Sequence, residues 1–233
     1  MAGAPKPNVV YRITKLVARF VLGLICRIEV VGREKVPLEG PVIIAANHLS
    51  WLDPPAIGLV LPRPISYIAR ADLFENRFLG WLLPRLYVIP VERGSGDLAA
   101  VKAAIRALRG GMAFGIFPEG TRSRSGKLQP FKTGTAAIAI RTGAPVVPVA
   151  VIGSDKIWPP GGKIHLGRKL KIVFGEPIDL GGYSGKLDKA HLEEATRQIE
   201  AAVAALLPPE YLPEEYPTSS GKLPETPENA GLP

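Results

Sequence analysis

The sequence is poor in several of the features that would identify its chemistry at once. It has one cysteine, Cys26, in 233 residues, so no internal disulfide can form and a reducing compartment suits it. Its three histidines, His48, His165 and His191, are scattered, and with one cysteine they make no metal-ligand spacing. Neither a phosphate-loop signature nor a dinucleotide fingerprint is present. No run of about 18 uncharged apolar residues exists, which argues against a spanning helix. No secretory leader with a cleavage site is recognisable. Aromatic residues make up 7% of the chain and are not interleaved with cations, which speaks against nucleic acid as a partner.

What is present is apolar content and positive charge. A hydrophobic fraction of 46% in a chain of this length supports one domain with a full core. The net charge of +8 conceals an asymmetry. From Pro208 onward there are five acids (Glu210, Glu214, Glu215, Glu225, Glu228) and one base, Lys222, a net of −4. By subtraction the preceding 207 residues carry +12. Such a surface suits phosphates, whether on nucleic acid, on an anionic lipid or on a phosphorylated substrate.

Three segments follow. Residues 1–27 form an arm and a helix from about Val10 to Arg27. At 100° per residue Ile13, Val17, Phe20, Val21 and Leu24 gather on one face, with Arg12, Lys15, Arg19 and Arg27 opposite. A basic amphipathic helix of this kind can lie in a bilayer interface, although core packing gives the same periodicity. Residues 28–207 alternate short β-rich runs with helical patterns, which predicts an α/β fold with a mixed, largely parallel sheet flanked by helices. The Pro- and Glu-rich residues 208–233 read as a disordered tail.

In such sheets, sites form at the C-terminal ends of strands. Two segments with chemical potential lie there. The first, Asn47-His48-Leu49-Ser50-Trp51-Leu52-Asp53, follows the apolar run Val42–Ala46. If His48 ends a strand and Asp53 opens the next helix, the carboxylate can reach one imidazole nitrogen and leave the other as a general base. The Pro54-Pro55 pair suits the first turn of that helix. The plain alternative is a helix cap beside a hydrogen-bonded turn histidine. The second segment, Phe117-Pro118-Glu119-Gly120-Thr121-Arg122-Ser123, follows another apolar strand. Gly120 lets backbone amides approach an anion, Thr121 offers a hydroxyl, and Arg122 can grip a phosphate bidentately. Lys127 and Lys132 extend the field, and Arg93 is a further candidate at a strand end. Ser50 lies too close to His48 and Asp53 to complete a triad, and no histidine neighbours Cys26 in sequence. Direct transfer is therefore expected rather than a covalent enzyme intermediate.

These blocks resemble the glycerolipid acyltransferase family typified by the 1-acylglycerol-3-phosphate acyltransferases. Asn47–Asp53 matches its N-H-x4-D block and Phe117–Ser123 its F-P-E-G-T-R-S block. Ile89–Arg93 looks like its arginine block and Val147–Ala150 like its V-P-V block. Glu92 departs from the pattern, which commonly has Asp there. The resemblance implies that His48 and Asp53 are catalytic, as base and orienting partner. It implies that Arg93, Glu119, Gly120, Thr121 and Arg122 bind the acceptor. The expected reaction is acyl transfer from acyl-CoA or acyl carrier protein to lysophosphatidate, forming phosphatidate, with no other cofactor and no metal. Glycerol 3-phosphate or another lysolipid is the alternative acceptor. A thioesterase and a non-catalytic lipid-binding protein are the readings from other classes. Anionic membrane lipids are expected partners, with the protein peripheral or monotopic on the cytoplasmic face of the cell membrane.

Overall fold

The run Val42–Ala46 is apolar at every position, and its five residues are all buried, as a strand covered on both faces requires. It is the central strand β2 of a seven-stranded sheet. The computed structural model describes residues 6–92, 96–185, 187–214 and 216. The strands are β1 (Cys26–Val31), β2 (Val42–Ala46), β3 (Ile65–Arg70), β4 (Val88–Val91), β5 (Ala113–Ile116), β6 (Val146–Ile152) and β7 (Arg168–Phe174). Their order is β1-β7-β6-β2-β5-β3-β4, and every pairing is parallel except that between β6 and β7.

Alternation along β2 sorts its side chains to two layers. Ile43 and Ala45 join Phe114, Leu108, Ile138 and Ile199 on one face. These belong to or adjoin α4 (Gly96–Arg109), α5 (Gly134–Thr142) and α7 (Lys189–Ala204). Val42, Ile44 and Ala46 face the other layer with Leu22, Ala56 and Ile57, which lie on α1 (Val9–Ile25) and α2 (Asp53–Val60). The mixed, largely parallel sheet flanked by helices is the architecture that the alternation of elements predicts.

Several boundaries differ from expectation for local reasons. The sequence of Leu73–Leu83 has a helical pattern, but the chain there forms a 3-10 turn at Ala71–Phe74 and then α3 (Arg77–Arg85). Asn76 between them caps α3, its side-chain oxygen accepting from the N–H groups of Phe78 and Leu79. The four-residue α6 (Ser154–Ile157), preceded by Gly153 at φ 89°, is too short to leave a periodicity. α1 ends at Ile25, so Arg27 belongs to β1.

The chain beyond Pro208 is packed at first. Pro209–Tyr211 form a 3-10 turn, Tyr211 is buried, and its carbonyl accepts from Leu128 N–H at 2.7 Å. Tyr211 hydroxyl also accepts from Gly153 N–H at 3.0 Å and donates to Asp155. Averaging over the acidic, proline-rich stretch hides these apolar anchors. Glu215 and residues 217–233, where most of the expected tail falls, lie outside the described residues.

α1 presents the apolar face expected for it, but outward. Ile13, Val17, Phe20 and Leu24 are each more than half exposed, whereas Tyr11 and Leu22 are buried. Among the described residues no helix is long and apolar enough to cross a membrane.

Candidate active site

β2 and β5 are hydrogen-bonded neighbours and parallel, so the loops leaving them meet at the same edge of the sheet. From β2 the chain enters a tight turn. Asn47 ties it to β6, its side chain donating to Val151 carbonyl at 3.0 Å and accepting from Val151 N–H at 2.7 Å. Asp53 opens α2, where a carboxylate is favoured by the helix dipole. It reaches back across the turn, and its Oδ2 accepts from the N–H groups of Leu49 and Ser50, each at 2.7 Å.

That same Oδ2 lies 2.8 Å from His48 Nδ1. A carboxylate oxygen that already accepts two bonds accepts the third as well, so Nδ1 carries the proton and Nε2 keeps its lone pair. The Asp53 side chain is fully buried, while that of His48 is 14% exposed and can meet a substrate. The Phe117 ring stacks on the imidazole with centroids 4.0 Å apart. Ser50 hydroxyl is turned away to donate to Trp158 carbonyl, and the buried Cys26 donates to Leu22 carbonyl. Neither is placed as a nucleophile.

From β5 the chain enters Phe117–Ser123. Ser123 N–H donates to His48 carbonyl at 2.8 Å, and His48 N–H donates to Glu119 Oε1 at 2.7 Å. The two loops are therefore clasped at His48 itself. Glu119 is buried, and burial raises its carboxyl to about 7 against the opposing pull of His48 N–H and Gln129. It lies beneath the turn rather than facing solvent. Gly120 has φ 73°, and a Cβ there would meet Lys132 Nζ at 2.9 Å. Thr121 is exposed.

Arg122 is half-buried, its guanidinium 3.9 Å from the centroid of the Trp51 ring. Its Nη1 is enclosed yet has no hydrogen-bond partner in the protein. Trp51 lies in the turn between His48 and Asp53, so this free donor is held against that turn. Arg93 lies outside the described residues. Among the described residues no three His, Cys, Asp or Glu side chains come together as a metal site.

An apolar cavity of about 220 Å³ lies between α1, α2, β3 and α3. Pro54 and Pro55, next after Asp53, line it with Ala18, Tyr67 and Leu83. The Tyr67 ring stacks near Phe117, with centroids 6.2 Å apart. Sequence reasoning passed over Trp51, Phe117, Tyr67 and the Asn47 clamp. Trp51 and Phe117 stand inside the two motifs, but nothing in one dimension says that they stack on Arg122 and His48.

The acyltransferase family profile matches residues 27–152. The chain is 30% identical over 197 residues to a 1-acyl-sn-glycerol-3-phosphate acyltransferase of Bacillus subtilis, covering 84% of this chain and 96% of that one. It is 31% identical over 189 residues to a lyso-ornithine lipid O-acyltransferase of Pseudomonas aeruginosa, covering 72% of this chain and 68% of that one. The crystal structure of the 1-acyl-sn-glycerophosphate acyltransferase PlsC from Thermotoga maritima superposes with a TM-score of 0.68. The two chains share 27% identity over 84% of this chain and 78% of that one.

Proposed function

The chain belongs to the acyltransferase family, and we propose that it transfers a fatty acyl group to the free hydroxyl of 1-acyl-sn-glycerol 3-phosphate, forming phosphatidate. The observation that carries this reading is the His48–Asp53 dyad beside the free Arg122 donor. A base and an anion grip at one turn suit an acceptor that bears both a hydroxyl and a phosphate.

His48 Nε2 takes the proton of the acceptor hydroxyl as its oxygen attacks the thioester carbonyl of the donor. Asp53 holds the ring and stabilises the imidazolium that forms. The tetrahedral intermediate collapses with cleavage of the C–S bond, and the imidazolium returns its proton to the departing thiolate. A base of this type contributes about 10²–10⁴-fold. Positioning of both substrates supplies much of the rest. The acyl donor is acyl-CoA or acyl carrier protein. The apolar cavity beside Pro54 and Pro55 suits an acyl chain.

Because the acceptor and product are lipids, the protein works at a membrane surface. The outward apolar face of α1 and its cations Arg12 and Arg19 suit a peripheral position on an anionic leaflet. The cytoplasmic face is the side on which activated acyl thioesters are made.

The relative that acylates lyso-ornithine lipid makes the acceptor the point to test. Purified enzyme is given acyl-CoA with lysophosphatidate, glycerol 3-phosphate or lyso-ornithine lipid in competition, and products are identified by mass spectrometry. Phosphatidate as the dominant product is expected. Preferential acylation of a phosphate-free acceptor overturns the assignment, and free fatty acid as the main product indicates a thioesterase.

A further inference from the structure

The outward apolar stripe of α1 does not stop at the end of the helix. Gly167 N–H donates to Ile25 carbonyl at 2.8 Å, and Cys26, the next residue, pairs in register with Arg168 of β7. The loop that leads into β7 is thereby fastened to the C-terminal end of α1. It carries two further exposed apolar side chains, Ile164 (44% exposed) and Leu166 (69%), and it joins α1 next to the exposed Leu24.

The loop is held firmly rather than loosely draped. Besides the Gly167 bond, His165 N–H donates to Ile157 carbonyl at 2.8 Å and Gly162 N–H to Pro159 carbonyl at 3.0 Å. A backbone fixed at three points while displaying Ile and Leu to water has no role in the core. The charge pattern names the partner. The segment from Pro159 to Lys169 contains Lys163, Arg168 and Lys169 and no acid, and α1 contains Arg12, Lys15 and Arg19 and no acid. With Lys169 paired to Glu29 of β1 and Lys15 donating to Leu61 carbonyl, the cations of this surface are Arg12, Arg19, Lys163 and Arg168. Apolar side chains flanked by such cations match an anionic bilayer, with the apolar groups among the acyl chains and the cations at the headgroups.

We propose that the loop Lys163–Arg168 is a second lipid-contact element, which inserts Ile164 and Leu166 into the leaflet on which α1 lies. Two anchors restrain rotation of the whole domain about the axis of α1, and so keep the cavity against α1 facing the membrane. The proposal rests on the reading of α1 as an interfacial helix.

The test uses the full chain with an environment-sensitive fluorophore on an introduced thiol, Cys26 being buried. Leu166→Cys is compared with Phe20→Cys on α1 and with Lys189→Cys on α7, across the sheet. With phosphatidylglycerol-containing vesicles, the labels at 166 and 20 should shift to the blue and lose quenching by iodide several-fold, while that at 189 should not change. A label at 166 that stays aqueous while that at 20 inserts overturns the proposal and leaves the interfacial helix standing. If neither inserts, the reading of α1 falls and the proposal with it. Protection at 166 that grows with protein concentration in the absence of lipid marks a protein contact and also overturns it.

A second variant reads function. Ile164→Asp combined with Leu166→Asp should lower turnover of vesicle-embedded lysophosphatidate several-fold and leave turnover of a monomeric short-chain acceptor unchanged. Equal loss on both acceptors overturns the proposal.

Discussion

Glu119 Oε1 accepts a hydrogen bond from the backbone N–H of His48 at 2.7 Å, across 71 positions of sequence. The acid of one motif thus holds the main chain of the other, while Asp53 holds the imidazole from the far side of the same residue. Ser123 N–H closes the clasp on His48 carbonyl. His48 is fixed at its ring and at both polar atoms of its backbone.

Burial places the Glu119 carboxyl at about 7, against an ordinary value of 4.5. Between these two pH values the native protein retains a proton that the unfolded chain has released, so stability falls as pH rises through that window. The shift corresponds to about 3 kcal/mol. Glu119→Gln keeps an acceptor for His48 N–H and should remove this slope. Denaturant titrations of both proteins at mildly acidic and mildly alkaline pH check it, and an unchanged slope in the variant disproves the assignment.

His48→Ala should lower kcat by about 10²–10⁴-fold with little change in KM for the acceptor. Asp53→Asn should fall in the same range, because the amide no longer enforces the tautomer with a free Nε2. Steady-state assays at saturating acyl thioester give both parameters. Full activity in the His48 variant would sink the mechanism.

Arg122→Ala should raise KM for lysophosphatidate by about 10–100-fold, the scale of one lost charge-assisted hydrogen bond. Trp51→Leu should have a smaller effect in the same direction, since it frees the guanidinium without removing it. An Arg122 variant with wild-type KM would place the phosphate elsewhere.

Gly115 is the position in β5 where a side chain cannot be added. A Cβ there would lie 2.0 Å from Tyr67 Cε1. Gly115→Ala should cost about 1–3 kcal/mol through forced repacking. Adding Tyr67→Leu should recover much of that loss, seen as a raised Tm relative to the single variant. Additive losses in the double variant would mean that the two residues do not collide.

The strands and helices that carry the site were legible because their residues follow simple periods. β2 is apolar throughout, and Val146–Ile152 is nearly so, which marks strands covered on both faces. Asp188 caps α7, as its residue type favours, its side chain accepting from His191 N–H at 3.2 Å. What escaped was short or depended on a single competing side chain, as at α6 and at Asn76. The packed turn at Tyr211 was hidden because its partners, Leu128, Gly153 and Asp155, come from distant parts of the chain.

By itself the sequence determined which chemical groups stand close together along the chain. It set an imidazole five residues before a carboxylate at the start of a helix, and a glycine and an arginine after a second strand, because bond geometry and strand-to-helix turns constrain neighbours in the chain. Tertiary structure decided what those groups do to one another. Only the parallel pairing of β2 with β5 brings Glu119 under His48, Phe117 onto its ring and Arg122 onto Trp51. Likewise, only the packing of α1 shows that its apolar face is left outside. Periodicity measures how apolar residues are spaced around a helix, and it is the same whether that face meets a protein core or a lipid.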